Sequence, residues 1–275
     1  MENKIAIVMS GGGMSCSYGA GAIIALVEKY GLTKPDILIA RSGSAGTGSY
    51  FVAGQYGSIK NIWQNLLYTK KFANPWRITR ILDIDYLVDD IFGKQDILDV
   101  ESIHNSQINF LIPTTDFSSG EIKYFNNKDS VNWFQVLKAT KALALAFNRT
   151  INIGGKEYGD LYGCQLLNID IVKAIQLGAS KIIVIDNEVD NLIKDVIYSV
   201  WLCLKGKKFH NSYYSSINEA KKILAKEKVG IIYLRPKKKL KIGGINNNRQ
   251  KLIESFEQGF DETSEHDELG NFILK

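Results

Sequence analysis

Cysteine is scarce in this 275-residue chain: Cys16, Cys164 and Cys203 are the only three. An odd number so widely spaced makes no disulfide framework and none of the close pairs that zinc sites use, which points to reduced thiols in a cytosol-like compartment. There are only four prolines, and no low-complexity tract, repeat or Pro/Gly-rich linker interrupts the chain. Disorder and fibrous architectures are thereby excluded, and one domain over residues 1–275 is expected, with a loosely held acidic tail over 260–275. No apolar run reaches the ~20 residues that span a bilayer. Ile5 to Met9 is too short for a signal-peptide core, so the expectation is a cytoplasmic protein whose membrane contact, if any, is peripheral. Histidine is nearly absent as well, with His104, His210 and His266 alone.

Positive charge is in modest excess, at +5 overall. The surplus gathers in Lys205, Lys207 and Lys208, in Lys221 and Lys222, and in Lys237, Lys238, Lys239 and Lys241. Such groups suit solvated surfaces or an anionic membrane. No nucleic-acid-binding motif accompanies them, so nucleic acid is not an expected partner.

What is present is the grammar of a parallel sheet covered by helices. Ile5 to Met9 reads as a buried strand, Ser10-Gly11-Gly12-Gly13 as a turn, and the small and apolar residues to Tyr30 as a buried helix stopped by Gly31. Asp36 to Ala40 is a second buried strand, and Ser42 to Gly46 a tight turn into another helix. This β-turn-α-β-turn-α order predicts an α/β fold. Aromatic residues from Asn61 to Phe92 read as peripheral or lid-like helices. Ile108 to Pro113 and Ile122 to Phe125 read as strands, and Val131 to Ala146 as a mostly apolar helix. Gly154-Gly155 fits a hairpin turn. Asp170 to Leu177 and Lys181 to Ile185 form another helix and strand, and Ile217 to Lys226 and Val229 to Leu234 a last pair.

Two glycine-rich turns carry the candidate chemistry. Ser42-Gly43-Ser44-Ala45-Gly46 follows a strand directly and has the small residues that a nucleophile elbow requires, which nominates Ser44. Gly11-Gly12-Gly13 follows the neighbouring strand, so both turns are expected at one carboxyl edge of the sheet. Glycine amides there can converge on a developing oxyanion. A nucleotide cradle is disfavoured, because Cys16 stands where a dinucleotide fingerprint has its third glycine and no Walker lysine follows.

Ser10 to Tyr18 with the helix to Leu26, and the Ser42 to Gly46 elbow, resemble the oxyanion segment and elbow of patatin-like phospholipases of bacteria. The resemblance continues through Asn74-Pro75, Thr114-Thr115-Asp116 with Gly120, Lys138-Ala139-Thr140, Tyr158-Gly159-Asp160 and Arg235-Pro236. It therefore covers nearly the whole chain. It implies a three-layer α/β/α fold with a mainly parallel central sheet. It also implies a Ser44–Asp160 dyad, an oxyanion hole of backbone amides at Gly11, Gly12, Gly13 and Met14, and a lipid or other acyl ester as substrate. Reaction through an acyl-enzyme requires no metal or organic cofactor.

The chain departs from that pattern at several places. Ser15 and Cys16 stand where a basic residue and glycine are usual, Leu161 and Tyr162 where glycines follow the aspartate, and a proline after the Lys138 to Ala144 segment is missing. These departures favour a second reading, a patatin-like pseudoenzyme that binds lipid or protein without turnover. His210 and His266 offer a rival triad by chain order, but neither follows a strand in a suitable turn. Asp116 and Asp186 read as structural or pocket-lining carboxylates.

Overall fold

The computed structural model describes residues 3–74, 76–77, 80–143, 147, 149–160, 167–187 and 206–274. Leu161, Tyr162, Cys164, Cys203 and Lys205 lie outside them. Strand β1 (Ile5–Met9) is apolar throughout, as a strand covered on both faces must be. Ile7 and Met9 point into the larger hydrophobic core, and Ala6 and Val8 into a second core across the sheet. The flanking parallel strands β2 (Ile37–Ala40) and β7 (Lys181–Ile185) hold β1 in register through Val8↔Ile39 and Val8↔Val184.

Eight strands form one sheet, in the order β5-β6-β3-β2-β1-β7-β8 with β4 pairing β3. Here β3 is Asn109–Asp116, β4 Ile122–Asn126, β5 Ile151–Ile153, β6 Lys156–Gly159 and β8 Gly230–Leu234. From β3 to β8 the neighbours run parallel, but β3–β4, β3–β6 and β5–β6 are antiparallel. The expected mainly parallel sheet is therefore corrected to a mixed one. The cause is local. Gly120 (φ 80°) and the pair Gly154 and Gly155 (φ 61° and 82°) permit turns too short for a crossover, so the chain can only fold straight back.

Helices cover both faces, consistent with an α/β/α arrangement. On one side, α6 (Leu167–Gln176) lies on β1, β2 and β7, and α7 (Lys207–Leu224) packs on α6. On the other lie α1 (Ser17–Tyr30), α2 (Gly43–Val52) and α5 (Trp133–Lys141). Between α2 and β3, the chain forms the short helices α3 (Tyr56–Asn61) and α4 (Val100–Asn105) and two π-helical stretches, Ile62–Leu66 and Tyr86–Gln95. Near the C-terminus, α8 (Arg249–Ser264) lies along α1 so closely that a Cβ on Gly21 would fall 1.9 Å from the Phe256 carbonyl oxygen. One on Gly259 would fall 2.0 Å from that of Tyr18. Only glycine permits such an approach.

The residues expected to form a loose tail are instead packed. They complete α8 and form α9 (Leu269–Leu274), where Leu269 is fully buried. The Tyr30 hydroxyl donates to the Thr263 carbonyl at 2.9 Å. Among the described residues no helix is long and apolar enough to cross a membrane.

Candidate active site

The sharpest local feature lies between β2 and α2. Ser42 has φ 51° and ψ −121°, and it is the only non-glycine with positive φ among the described residues. Such a conformation costs ~1–3 kcal/mol and persists only where the surroundings enforce it. Several contacts do so. The Ser42 N–H donates to Thr140 Oγ1 at 3.0 Å, and that hydroxyl donates to the Pro113 carbonyl at 2.8 Å. Beside it, Arg41 reaches Asp170 through Nε and Nη2 at 2.9 and 2.8 Å, while the Tyr124 hydroxyl donates to the same carboxylate at 2.7 Å. Two buried charges satisfied this fully anchor the end of β2 to α6.

The glycine turn meets this elbow directly. Gly12 and Gly13 have φ 141° and 59°, torsions that side chains rarely adopt. A Cβ on Gly43 would lie 2.8 Å from both the Gly13 carbonyl oxygen and Cys16 Sγ, so the first residue of α2 abuts the turn. Of the four amides expected to hold an oxyanion, that of Met14 is already committed, donating to the Gly244 carbonyl at 2.9 Å. Gly11 does not border the cavity described below, whereas Gly12, Gly13 and Gly43 do. The Gly43 amide, at the N-terminus of α2, is a position that the sequence reading missed.

Ser44, the expected nucleophile, is 0% exposed and does not border the cavity. Its Oγ donates to the Ser10 carbonyl at 2.7 Å and accepts from Asn187 Nδ2 at 3.1 Å. Asn187 also donates to the Ser10 carbonyl at 2.8 Å and accepts from the Gly19 N–H at 2.8 Å. Ser44 thus ties the ends of β1 and β7 to α1 and α2, and the structure does not bring it to the cavity of Asp160. Ser42, two residues earlier, is at that cavity. The signal for it was present in Ala40 and Ser44, small residues two positions to either side, which satisfy the elbow's steric demand equally well.

The cavity has a volume of about 200 Å³. Ser42, Asp160 and Lys141 border it with the glycine backbone, and its walls are otherwise largely apolar, including Ile62, Trp63, Leu67, Phe72, Leu87 and Phe92. The aromatic stretch expected to be peripheral or lid-like thus supplies much of the wall. Trp63 is fixed there by its Nε1–H donating to Thr47 Oγ1 at 2.9 Å. Asp160 is 4% exposed and follows β6, and its N–H donates to the Ala142 carbonyl at 3.1 Å, next to Lys141. Lys141 is 5% exposed, and its Nζ has no hydrogen-bond partner among the described residues. Burial pushes its ammonium down to about 7 from the usual lysine range, against the attraction of Cys16 and Asp160.

The other candidates lie elsewhere. His104 Nδ1 sits 2.6 Å from the Asn127 carbonyl, His210 stacks on Tyr214 on α7, and His266 follows α8; none borders the cavity. Asp116 caps its own turn by accepting from the Ser118 N–H at 2.7 Å, and Asp186 pairs with Ser10 and Arg235.

No protein-family model matches the sequence, and a search of curated proteins finds no match. The fold is similar to that in the crystal structure of VipD from Legionella pneumophila, with a TM-score of 0.54 and 13% identity over 95% of this chain. The match spans 66% of that chain, slightly under two thirds of its length. At such low identity the likeness is one of fold, and it supports a patatin-like α/β/α architecture.

Proposed function

We propose that this protein is a serine acyl hydrolase acting on lipid esters, with Ser42 as nucleophile in place of Ser44 and Asp160 as base. The observation that carries this reading is the placement of a strained strand-to-helix serine at an apolar cavity together with a carboxylate and three glycines. Asp160 takes the Ser42 proton as Oγ attacks the ester carbonyl. The amides of Gly12, Gly13 and Gly43 receive the oxyanion, aided by the positive end of α2. An acyl-enzyme forms, and water activated by the same carboxylate releases the acid. Long apolar walls favour an acyl chain over a polar substrate. The fold likeness adds support at the level of reaction class.

A fluorophosphonate probe tests the reading. Mass spectrometry is expected to place the adduct on Ser42, and Ser42→Ala to abolish both labelling and p-nitrophenyl ester turnover. Asp160→Asn is expected to lower turnover at least ~10²-fold. An adduct on Ser44 would restore the earlier assignment. No adduct, with a fatty acid still bound in the cavity, would favour the second reading of a lipid-binding module, for which the committed Met14 amide speaks.

A further inference from the structure

Lys141 is the one lysine or arginine among the described residues bordering this cavity, and the mechanism above leaves it without a task. It sits at the end of α5, immediately after Thr140, which holds the elbow N–H. Its Cε lies 3.9 Å from where a Cβ on Gly46 of α2 would stand. The ionisable groups that face it are Cys16, at the start of α1, and Asp160, after β6. By contrast Lys138, one helical turn earlier, is paired with Asp85 and Asp89 at 3.2 and 2.7 Å. A buried amine without a hydrogen-bond partner carries a heavy desolvation penalty when charged. Packing alone does not call for one at this position, because a methionine would fill the space without that cost.

We propose that Lys141 is the general acid of the hydrolysis, protonating the alcohol that departs when the tetrahedral intermediate collapses. The proposal rests on the Ser42–Asp160 reading and assigns a step which that reading left open. Ser42 Oγ bonds to the carbonyl carbon while its proton passes to the Asp160 carboxylate, and the carbonyl π electrons move to oxygen. On collapse the C–O bond to the alcohol breaks, and its electron pair stays with the leaving oxygen, which takes a proton from the Lys141 ammonium. The neutral amine then recovers a proton from the Asp160 carboxyl nearby. This leaves the carboxylate ready to activate water for deacylation.

An amine whose burial brings its proton equilibrium near neutrality is matched to this task, since proton transfer is most effective when donor and working pH agree. A lysine in water would hold its proton too tightly. Asp160 keeps the ammonium present in the resting centre, and the apolar walls keep water from replacing it as donor.

The test turns on the leaving group. An alkyl alkoxide has to be protonated to depart, whereas p-nitrophenolate departs without help. In Lys141→Met, the ratio of alkyl-ester to p-nitrophenyl-ester kcat/KM is expected to fall by ~10²-fold or more relative to the unmodified protein. In the unmodified protein, alkyl-ester kcat is expected to decline as pH rises through about 7, with a much weaker decline for the p-nitrophenyl ester. That second measurement needs no variant to fold. Equal losses on both esters, or the same alkaline limb for both, overturn the assignment of Lys141 alone. If Ser42→Ala retains turnover of both esters, the hydrolase reading itself fails.

Discussion

Two serines separated by a single glycine carry opposite burdens, so exchanging each for a smaller residue should shift stability and activity in opposite combinations. Ser42 holds a conformation that glycine adopts freely. Ser42→Gly releases ~1–3 kcal/mol of backbone strain and gives back ~0.4–1 kcal/mol through the looser unfolded chain. A net gain of about 0.5–2 kcal/mol is expected, together with complete loss of turnover. Ser44→Ala removes one donated and one accepted hydrogen bond inside the core. The Ser10 carbonyl and Asn187 Nδ2 keep each other at 2.8 Å, so neither is orphaned. The expected cost is then about 1–2 kcal/mol, near the ordinary worth of two such bonds. For a chain of this size each kcal/mol moves Tm by ~2–4 °C. Calorimetry at neutral pH should show Ser42→Gly melting above the parent and Ser44→Ala below it, while an ester assay shows the reverse order of activity. A Ser44→Ala protein that melts normally yet has no activity, beside an active Ser42→Gly, would refute the reasoning.

Three further outcomes follow from other contacts. Gly13→Ala would set a Cβ 2.2 Å from the Gly244 carbonyl oxygen at φ 59°. The turn has to shift, and kcat should fall by ~10²-fold or more, as loss of an oxyanion donor does. Lys141 binds its proton less tightly folded, at about 7, than unfolded, near 10.5. Folding therefore expels a proton between those values, and stability should rise with pH across that window by up to ~1.4 kcal/mol per unit. Denaturant titrations of Lys141→Met should lack this increment. Trp76 is 92% exposed, and Phe72 nearby borders the cavity, with Lys70 and Lys71 exposed just before it. Trp76→Ala should weaken sedimentation with phosphatidylserine vesicles several-fold without altering hydrolysis of a soluble ester.

Much of the sheet was legible because its central strands are buried on both faces. Ile5–Met9, Ile37–Ala40 and Lys181–Ile185 are near-continuous apolar runs, which amphipathic elements cannot imitate. The hairpins beyond β3 were read as strands and turns, yet the alternation within such short segments says nothing about which neighbour they pair with. The elbow was located, but the expectation centred it on Ser44, whereas the residue with positive φ at the cavity is Ser42. Side-chain size cannot choose a nucleophile in Ser42-Gly43-Ser44-Ala45-Gly46, where every residue is small. Which serine reaches the cavity is set by where β2 releases the chain, which depends on its register with β1 through Met9↔Ala40. Lys141 was hidden for a related reason. In a helix with Lys138 one turn away it looks like another solvated lysine, and only the placement of α5 against α2 shows that one amine reaches acids at the surface while the other faces the cavity. The packed end of the chain was hidden by the charged residues on the outer side of α8, whose inner side closes on α1.

The clasp between Met14 and Gly244 links two segments that leave the ribosome at widely separated times. A nascent chain that has already emerged past Ser42 and Asp160 still lacks the carbonyl that steadies the glycine turn, and α1 still lacks the helix that lies along it. The glycine turn and the cavity beside it are therefore completed only after Gly244 and α8 have been made, long after both candidate serines have emerged.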